Sequence, residues 1–221
     1  MYWLLSYPRS GNTFVRYCVE YLSKHPTVDW PAICERVGGM GVDMSKPVIM
    51  FKSHTYNPKN HDIEGCDGLI FIIRDYKEVI VRHNKEGDRK FATVLDRFMA
   101  ETVGVGNTTG ADYIAALQAY DQRKNKKMIV YYEDLITNTK GVVTDIAKFM
   151  NLDNEYLKEF VNNIDKHKKL ALTSYHSRSH TGGKDIKYHQ KSIGPDVLLK
   201  MTNHLKAKYP DLFDKYLRRY E

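Results

Sequence analysis

The first sixteen residues, Met1-Tyr-Trp-Leu-Leu-Ser-Tyr-Pro-Arg-Ser-Gly-Asn-Thr-Phe-Val-Arg16, constrain the fold more than any other stretch. The apolar run Trp3, Leu4 and Leu5 has the composition of a buried strand, and it breaks at Pro8. The chain turns through Ser10, Gly11 and Asn12, then places Phe14, Val15, Cys18, Val19 and Leu22 at the spacing of an amphipathic helix. Strand, tight polar loop and helix together aim backbone N–H groups and a positive helix end at an anion. Gly11 lets backbone approach closely, Ser10 and Thr13 offer hydroxyls, and Arg9 offers a permanent charge. The segment predicts a cradle for phosphate or sulfate. The competing explanation is an ordinary loop and helix cap beside an incidental arginine.

Downstream, short apolar runs predict strands at Tyr2–Ser6, Pro47–Lys52, Gly68–Ile73 and Lys127–Tyr132. Helices are expected at Thr13–Lys24, Tyr76–Lys85, Phe91–Val103 and Ala111–Arg123. After Tyr132 the pattern is helical, with Thr139–Met150, Asn154–Ile164, Asp196–Lys208 and Asp211–Tyr220. This alternation predicts an α/β fold: a single domain over residues 1–221, with a central parallel sheet flanked by helices and a helical C-terminal part. A chain of 221 residues builds one substantial core, and no Gly/Ser-rich or Pro-rich linker divides it. Ligands of such sheets sit beyond the carboxyl ends of the strands.

Composition narrows the setting without choosing a function. Lys plus Arg number 34 against 27 Asp plus Glu, and the net charge of +7 favours anionic partners. The denser basic stretches, 123–127, 166–169 and 184–191, are expected to be solvated surface. Cys18, Cys34 and Cys66 lack paired or metal-ligand spacing and are expected to fill core space in a reducing cytoplasm. No signal-like or membrane-spanning run is evident, so a cytoplasmic location and no membrane partner are expected.

The nucleotide-triphosphate P-loop, G-x-x-x-x-G-K-[ST], is not matched: one Gly is present and no Lys follows it. The string YPRSGNTF instead resembles the 5′-phosphosulfate loop of sulfotransferases that use PAPS (3′-phosphoadenosine 5′-phosphosulfate). Three further strand exits carry the same resemblance. Lys52-Ser53-His54 is similar to the family's KTH-type motif, which implies His54 as general base and Lys52 as a contact to the transferring sulfuryl group. An imidazole titrating ordinarily near ~6.5 suits proton removal from a hydroxyl at neutral pH. Arg74-Asp75 followed by helix resembles the 3′-phosphate motif, with Arg74 as its arginine and Arg82 where the family has a serine; Asp75 is expected as an N-cap. Tyr-Glu-Asp-Leu at 132–135 is similar to the YEDL segment, which implies that Tyr132 contacts adenine while Tyr131 packs on the other face.

The C-terminal resemblance is thinner. Arg178 to Lys187, containing Gly182, Gly183 and Lys184, stands where the family has a basic glycine loop over the 3′-phosphate, but its Trp and its Arg-Lys-Gly order are missing. Thr173-Ser174-Tyr175 resembles a T-S-F element that meets the nucleotide. Two other departures are Arg9 for the loop lysine and Phe14 for the adenine-stacking tryptophan.

The resemblance implies metal-free transfer from PAPS, leaving PAP, to a hydroxyl or amine of a small-molecule or glycan acceptor. His54, Lys52 and Arg9 would act on the reacting atoms. Arg9, Ser10, Gly11, Asn12, Thr13, Phe14, Arg74, Arg82, Tyr132, Thr173, Gly183 and Lys184 would hold the nucleotide. The alternatives are a P-loop-related nucleotide kinase, disfavoured by the missing G-K-[ST], and a basic nucleic-acid binder, disfavoured because no recognition motif interleaves the 16 tyrosines with basic residues. The segments 30–44, 57–64 and 85–110, expected to line the acceptor, show no pattern that names it, and oligomeric state leaves no trace in the sequence.

Overall fold

The computed structural model describes residues 1–29, 42–43, 45–54, 65–85, 92–100, 109–124, 126–152, 154–173 and 192–221. Five parallel strands, β1 (Tyr2–Ser6), β2 (Thr27–Asp29), β3 (Met50–Ser53), β4 (Gly68–Ile73) and β5 (Lys127–Tyr131), lie in the order β2-β3-β1-β4-β5. From β1 the chain crosses to the edge strand β2 and returns through β3, then passes to the other side of β1 for β4 and β5. The loop after β1 therefore leaves the sheet where the strand order reverses, the place where such sheets bind ligands.

The strand side chains alternate between two cores. Trp3, Leu5, Leu69, Phe71 and Ile73 face α2 (Tyr76–Lys85), α3 (Val94–Met99), α4 (Gly110–Asp121) and α9 (Pro195–Lys208). Tyr2, Leu4, Met50, Ile70, Ile72 and Val130 face α1 (Asn12–Ser23), α5 (Tyr132–Thr137) and α6 (Thr139–Phe149). Behind α1 a third cluster joins Tyr17, Cys18 and Leu22 to α6, α7 (Glu155–Asn162) and α8 (Ile164–Thr173). Burial on both sides explains why α1 hides not only its apolar residues but also Arg16 and Glu20.

Strand β2 was not anticipated, because three residues are too few to show a period. The strand expected over Pro47–Lys52 is confined to Met50–Ser53, while Ile49 donates to Pro26 and accepts from Tyr2 as the chain enters it. β5 stops at Tyr131, so Tyr132 opens α5. The helix expected over Phe91–Val103 runs Val94–Met99: Thr93 and Asp96 form a capping box, and Ala100 is extended. Asn154–Ile164 splits at Asn163 into α7 and the unanticipated α8. The expected helix Asp211–Tyr220 is a short helix (Pro210–Leu212), a π turn (Phe213–Leu217) and a 3-10 turn (Arg218–Tyr220). Cys18 is buried, Cys66 is half-buried with its thiol donating to the Gly68 carbonyl, and Cys34 lies outside the described residues. No helix among the described residues is long and apolar enough to cross a membrane.

That C-terminal tail clasps the start of α5. Arg219 donates to both carboxylate oxygens of Asp134, at 2.9 and 2.7 Å, and its guanidinium lies 4.2 Å from the centre of the Tyr131 ring. Tyr220 donates to Glu133 at 2.6 Å, and Glu133 also accepts from the Asp75 N–H at 3.2 Å. Replacing Arg219 by Ala is expected to lower stability by about 1 kcal/mol, since the forked pair is half-exposed and screened, and Tm by about 2–4 °C. The hydrogen bond from Arg219 holds the Asp134 carboxyl below its usual pKa, so the gain is full above the ordinary carboxylate range and fades as pH falls through the lowered value. Thermal melts of both proteins at about pH 7 and at successively lower pH below the ordinary carboxylate range should therefore show a narrowing gap, and a gap that widens in acid would contradict this assignment.

Candidate active site

The loop between β1 and α1 is held in an unusual backbone shape. Arg9 has φ of 69° and Gly11 of 92°, both left-handed. For a non-glycine residue that conformation costs about 1–3 kcal/mol and persists only when its surroundings enforce it. Here the enforcing contact is visible: Arg74 Nη1, from the end of β4, donates to the Arg9 carbonyl at 2.8 Å. At Gly11 a side chain is excluded as well, because a Cβ would lie 2.6 Å from Cδ2 of Tyr132.

What the loop presents is an anion cradle. α1 begins at Gly11 with no side-chain cap and no acidic residue in its first turn. Ser10 is completely buried, and among the described residues its Oγ has no hydrogen-bond partner. A buried hydroxyl without a partner is costly unless a ligand supplies one. Donor, uncapped helix and glycine hinge together fit a phosphate or sulfate oxygen.

Two other strand exits are fastened to this loop. Beyond β3, His54 Nδ1 lies 2.8 Å from the Ser6 carbonyl and 3.4 Å from Ser6 Oγ. A carbonyl only accepts, so Nδ1 carries a proton, and the tautomer this selects has its basic lone pair on Nε2. Asn12 Nδ2 donates to the same Ser6 Oγ at 3.4 Å, which links the first residue of α1 to the histidine's anchor. Lys52 is mostly buried, its Nζ 3.2 Å from Asp29 at the end of β2, and Asp29 also accepts from Arg16 at 3.0 Å.

Beyond β4, Arg74 is 3% exposed, pairs with Glu78 at 3.6 Å, and its guanidinium lies 4.0 Å from the centre of the Tyr132 ring. Burial pulls the Arg74 pKa below its ordinary value; the nearby charge of Arg82 lowers it further, while Tyr132, Glu78 and Glu133 oppose this. Two guanidiniums thus lie in electrostatic reach of each other, beside the carboxylates of Glu78 and Glu133. Asp75 accepts from the Lys77 N–H at 3.0 Å, as expected of an N-cap, and the Tyr113 hydroxyl donates to the Arg74 carbonyl at 2.8 Å.

Arg9, Ser10, Gly11, Asn12, Lys52, His54, Arg74 and Tyr132 thus converge on the carboxyl edge of β1, β3 and β4. Phe14 stacks with Tyr17 at 6.4 Å and packs between two cores, so its ring already has an aromatic partner. Thr173 ends α8, but its side chain lies outside the description, as do Arg178, Gly183, Lys184 and Lys187. Sequence reasoning missed Asp29, Arg16, Glu20 and Ser6. Arg16 and Glu20 carried a faint signal as charged residues four apart in a short, mostly apolar helix.

Gly11→Ala is expected to cost about 1–3 kcal/mol through backbone strain and the clash with Tyr132, lowering Tm by about 2–12 °C. Gly194→Ala, where nothing lies within 4 Å of the added Cβ, also replaces a helix N-cap glycine and serves as the control, so it should lower Tm by only the cap preference and by less than Gly11→Ala. Equal melting temperatures for the two variants would contradict the described loop.

The family profile of the sulfotransferase domain matches residues 51–220. No curated protein matches the chain. Similar solved structures include mouse sulfotransferase SULT7A1 complexed with PAP, at TM-score 0.60 and 15% identity over 98% of this chain and 84% of that one. Retinol dehydratase in complex with retinol and PAP gives TM-score 0.62 and 13% identity over 95% and 81%. Retinol dehydratase with androsterone and inactive cofactor PAP gives 0.57 and 13% over 95% and 80%. At such identities the structures establish the shared fold, while the profile covers most of the chain. The chain belongs to the sulfotransferase domain family.

Proposed function

We propose that this sulfotransferase draws its sulfuryl group from PAPS, that residues 1–221 act as one unit, and that the acceptor is the hydroxyl of a small molecule. The observation that carries the proposal is the double fastening of the β1–α1 loop, by Arg74 on the Arg9 carbonyl and by the Ser6 carbonyl on His54. Although the family match starts at residue 51, β1 lies between β3 and β4, so the loop belongs to the same sheet. The neighbours whose complexes contain PAP, retinol and androsterone support the donor and a small alcohol as acceptor.

In this mechanism the 5′-phosphate of the donor sits on the loop from Arg9 to Thr13, where the Ser10 hydroxyl and the start of α1 meet its oxygens. Arg74 and Arg82 take the 3′-phosphate, and Tyr132 with Phe14 flanks the adenine. Thr173, Gly183 and Lys184 are assigned to closing over the nucleotide. His54 Nε2 removes the acceptor proton as the acceptor oxygen attacks sulfur in line. The bond from sulfur to the bridging oxygen breaks, and PAP leaves with the charge that Arg9 and Lys52 stabilise. The work is positioning and electrostatics, performed by side-chain cations.

The test uses PAPS labelled in its sulfuryl group and a panel of hydroxyl acceptors that includes retinol and androsterone. The wild-type protein is expected to label at least one, and His54→Ala to reduce turnover by about 10²–10⁴-fold. PAP affinity of that variant, read by calorimetry, should stay within about threefold of wild type. Unchanged turnover would remove His54 from the chemistry. Failure of the wild type to bind PAP would remove the donor assignment itself.

A further inference from the structure

Asp29 ends the edge strand β2 and is paired in register with Lys52 of β3. One of its carboxylate oxygens accepts from Arg16 Nη1 at 3.0 Å and from Lys52 Nζ at 3.2 Å. Arg16 is fixed independently: Nε donates to Thr27 Oγ1 at 2.9 Å and Nη2 to the Thr27 carbonyl at 3.2 Å. Thr27 in turn donates to Glu20 from its N–H at 2.8 Å and its hydroxyl at 2.7 Å. The carboxylate therefore stands on a rigid support built from α1 and β2. What it holds on its other side is the most adaptable cation of the group, an ammonium on a four-carbon stem.

Stability alone is a poor reason for this arrangement, since buried ion pairs gain little over apolar groups of the same volume. Its geometric consequence is specific. An ammonium is a compact point charge on a flexible stem, so the fixed carboxylate paired with it helps set where it stands, two residues before His54. We propose that Asp29 is a positioning residue for sulfuryl transfer, holding the Lys52 ammonium where it meets the transferring group, with Arg16 as the strut that fixes the carboxylate. The inference rests on the role proposed above for Lys52. It assigns to the β2 edge, which touches no nucleotide-binding motif in sequence, a part in setting the rate.

Hydrolysis of PAPS without added acceptor tests this without knowledge of the natural acceptor. Water then takes the sulfuryl group: its oxygen bonds to sulfur, the bridging bond to PAP breaks, and protons pass to His54 and solvent. Asp29→Asn keeps the shape and removes the charge; it should slow hydrolysis by about 10- to 100-fold while PAP affinity by calorimetry stays within about threefold. Asp29→Glu keeps the charge with a longer reach and should lose only about two- to fivefold. In a Lys52→Met background, Asp29→Asn should change the rate by less than about twofold, because the group it positions is gone.

The inference is overturned if Asp29→Asn is as fast as wild type, if Asp29→Glu is slower than Asp29→Asn, or if the loss is the same without Lys52. Should Asp29→Asn not fold, Asp29→Glu with and without Lys52→Met decides: a loss that vanishes without Lys52 supports positioning, and a loss that persists, or none at all, overturns it. A wild-type protein that neither binds PAP nor hydrolyses PAPS overturns the donor assignment and this inference together. Wild-type hydrolysis with insensitive Asp29 variants overturns only the inference.

Discussion

The hydrogen bond from Arg74 to the Arg9 carbonyl is the contact on which the rest of the site depends. A left-handed arginine two residues before a left-handed glycine does not hold its shape unaided. By gripping the carbonyl, the buried guanidinium converts a strained loop into a fixed one and brings the exits of β1 and β4 together. The same guanidinium lies over Tyr132, whose ring occupies the space a Gly11 side chain would need. Three sequence strings, far apart in the chain, are thereby locked by one another. The C-terminal clasp on Glu133 and Asp134 extends the lock to the last residues.

Charge balance explains what such a site is for. Arg74 and Arg82 share the neighbourhood of Glu78, while Arg16 and Lys52 share Asp29. Glu133 and Glu20 belong to the same networks, so protein carboxylates offset these cations, and the feature left for an anion is the start of α1, which has no acid in its first turn. Ser10 adds a buried hydroxyl that has no partner among the described residues. These features together stabilise a bound polyanion and destabilise the site without one. The placement of two cationic groups at different strand exits matches a ligand with two separated phosphates better than one with a single phosphate chain.

Much of this was legible because it depends on local strings. Tyr2–Ser6 and Gly68–Ile73 are continuous apolar runs of strands covered on both faces, and the structure has them with those bounds. The polar residues closing these runs, Lys52 within β3 and His54 just after it, stand out against them, so the site was marked by contrast. What stayed hidden depends on partners distant in sequence. β2 is three residues whose strand character comes from pairing with β3. Asp29 reads as an unremarked acid until folding sets it between Arg16 and Lys52. The π and 3-10 turns of the tail carry side chains that reach Asp121, Glu133 and Asp134, contacts that no periodicity encodes. The acceptor segments lacked any repeating or chemical pattern, and so they named no ligand.

The central claim is that a single pocket grips both phosphates of one adenosine. Calorimetric titration of the intact protein with PAP, AMP and ATP tests it most directly, because PAP and AMP differ only in the 3′-phosphate that Arg74 and Arg82 are assigned. Two charge-assisted contacts of about 1.5–3 kcal/mol each predict that PAP binds at least about 100-fold more tightly than AMP, and more tightly than ATP with or without magnesium. Equal affinities for PAP and AMP, or tighter magnesium-dependent binding of ATP, would contradict the account.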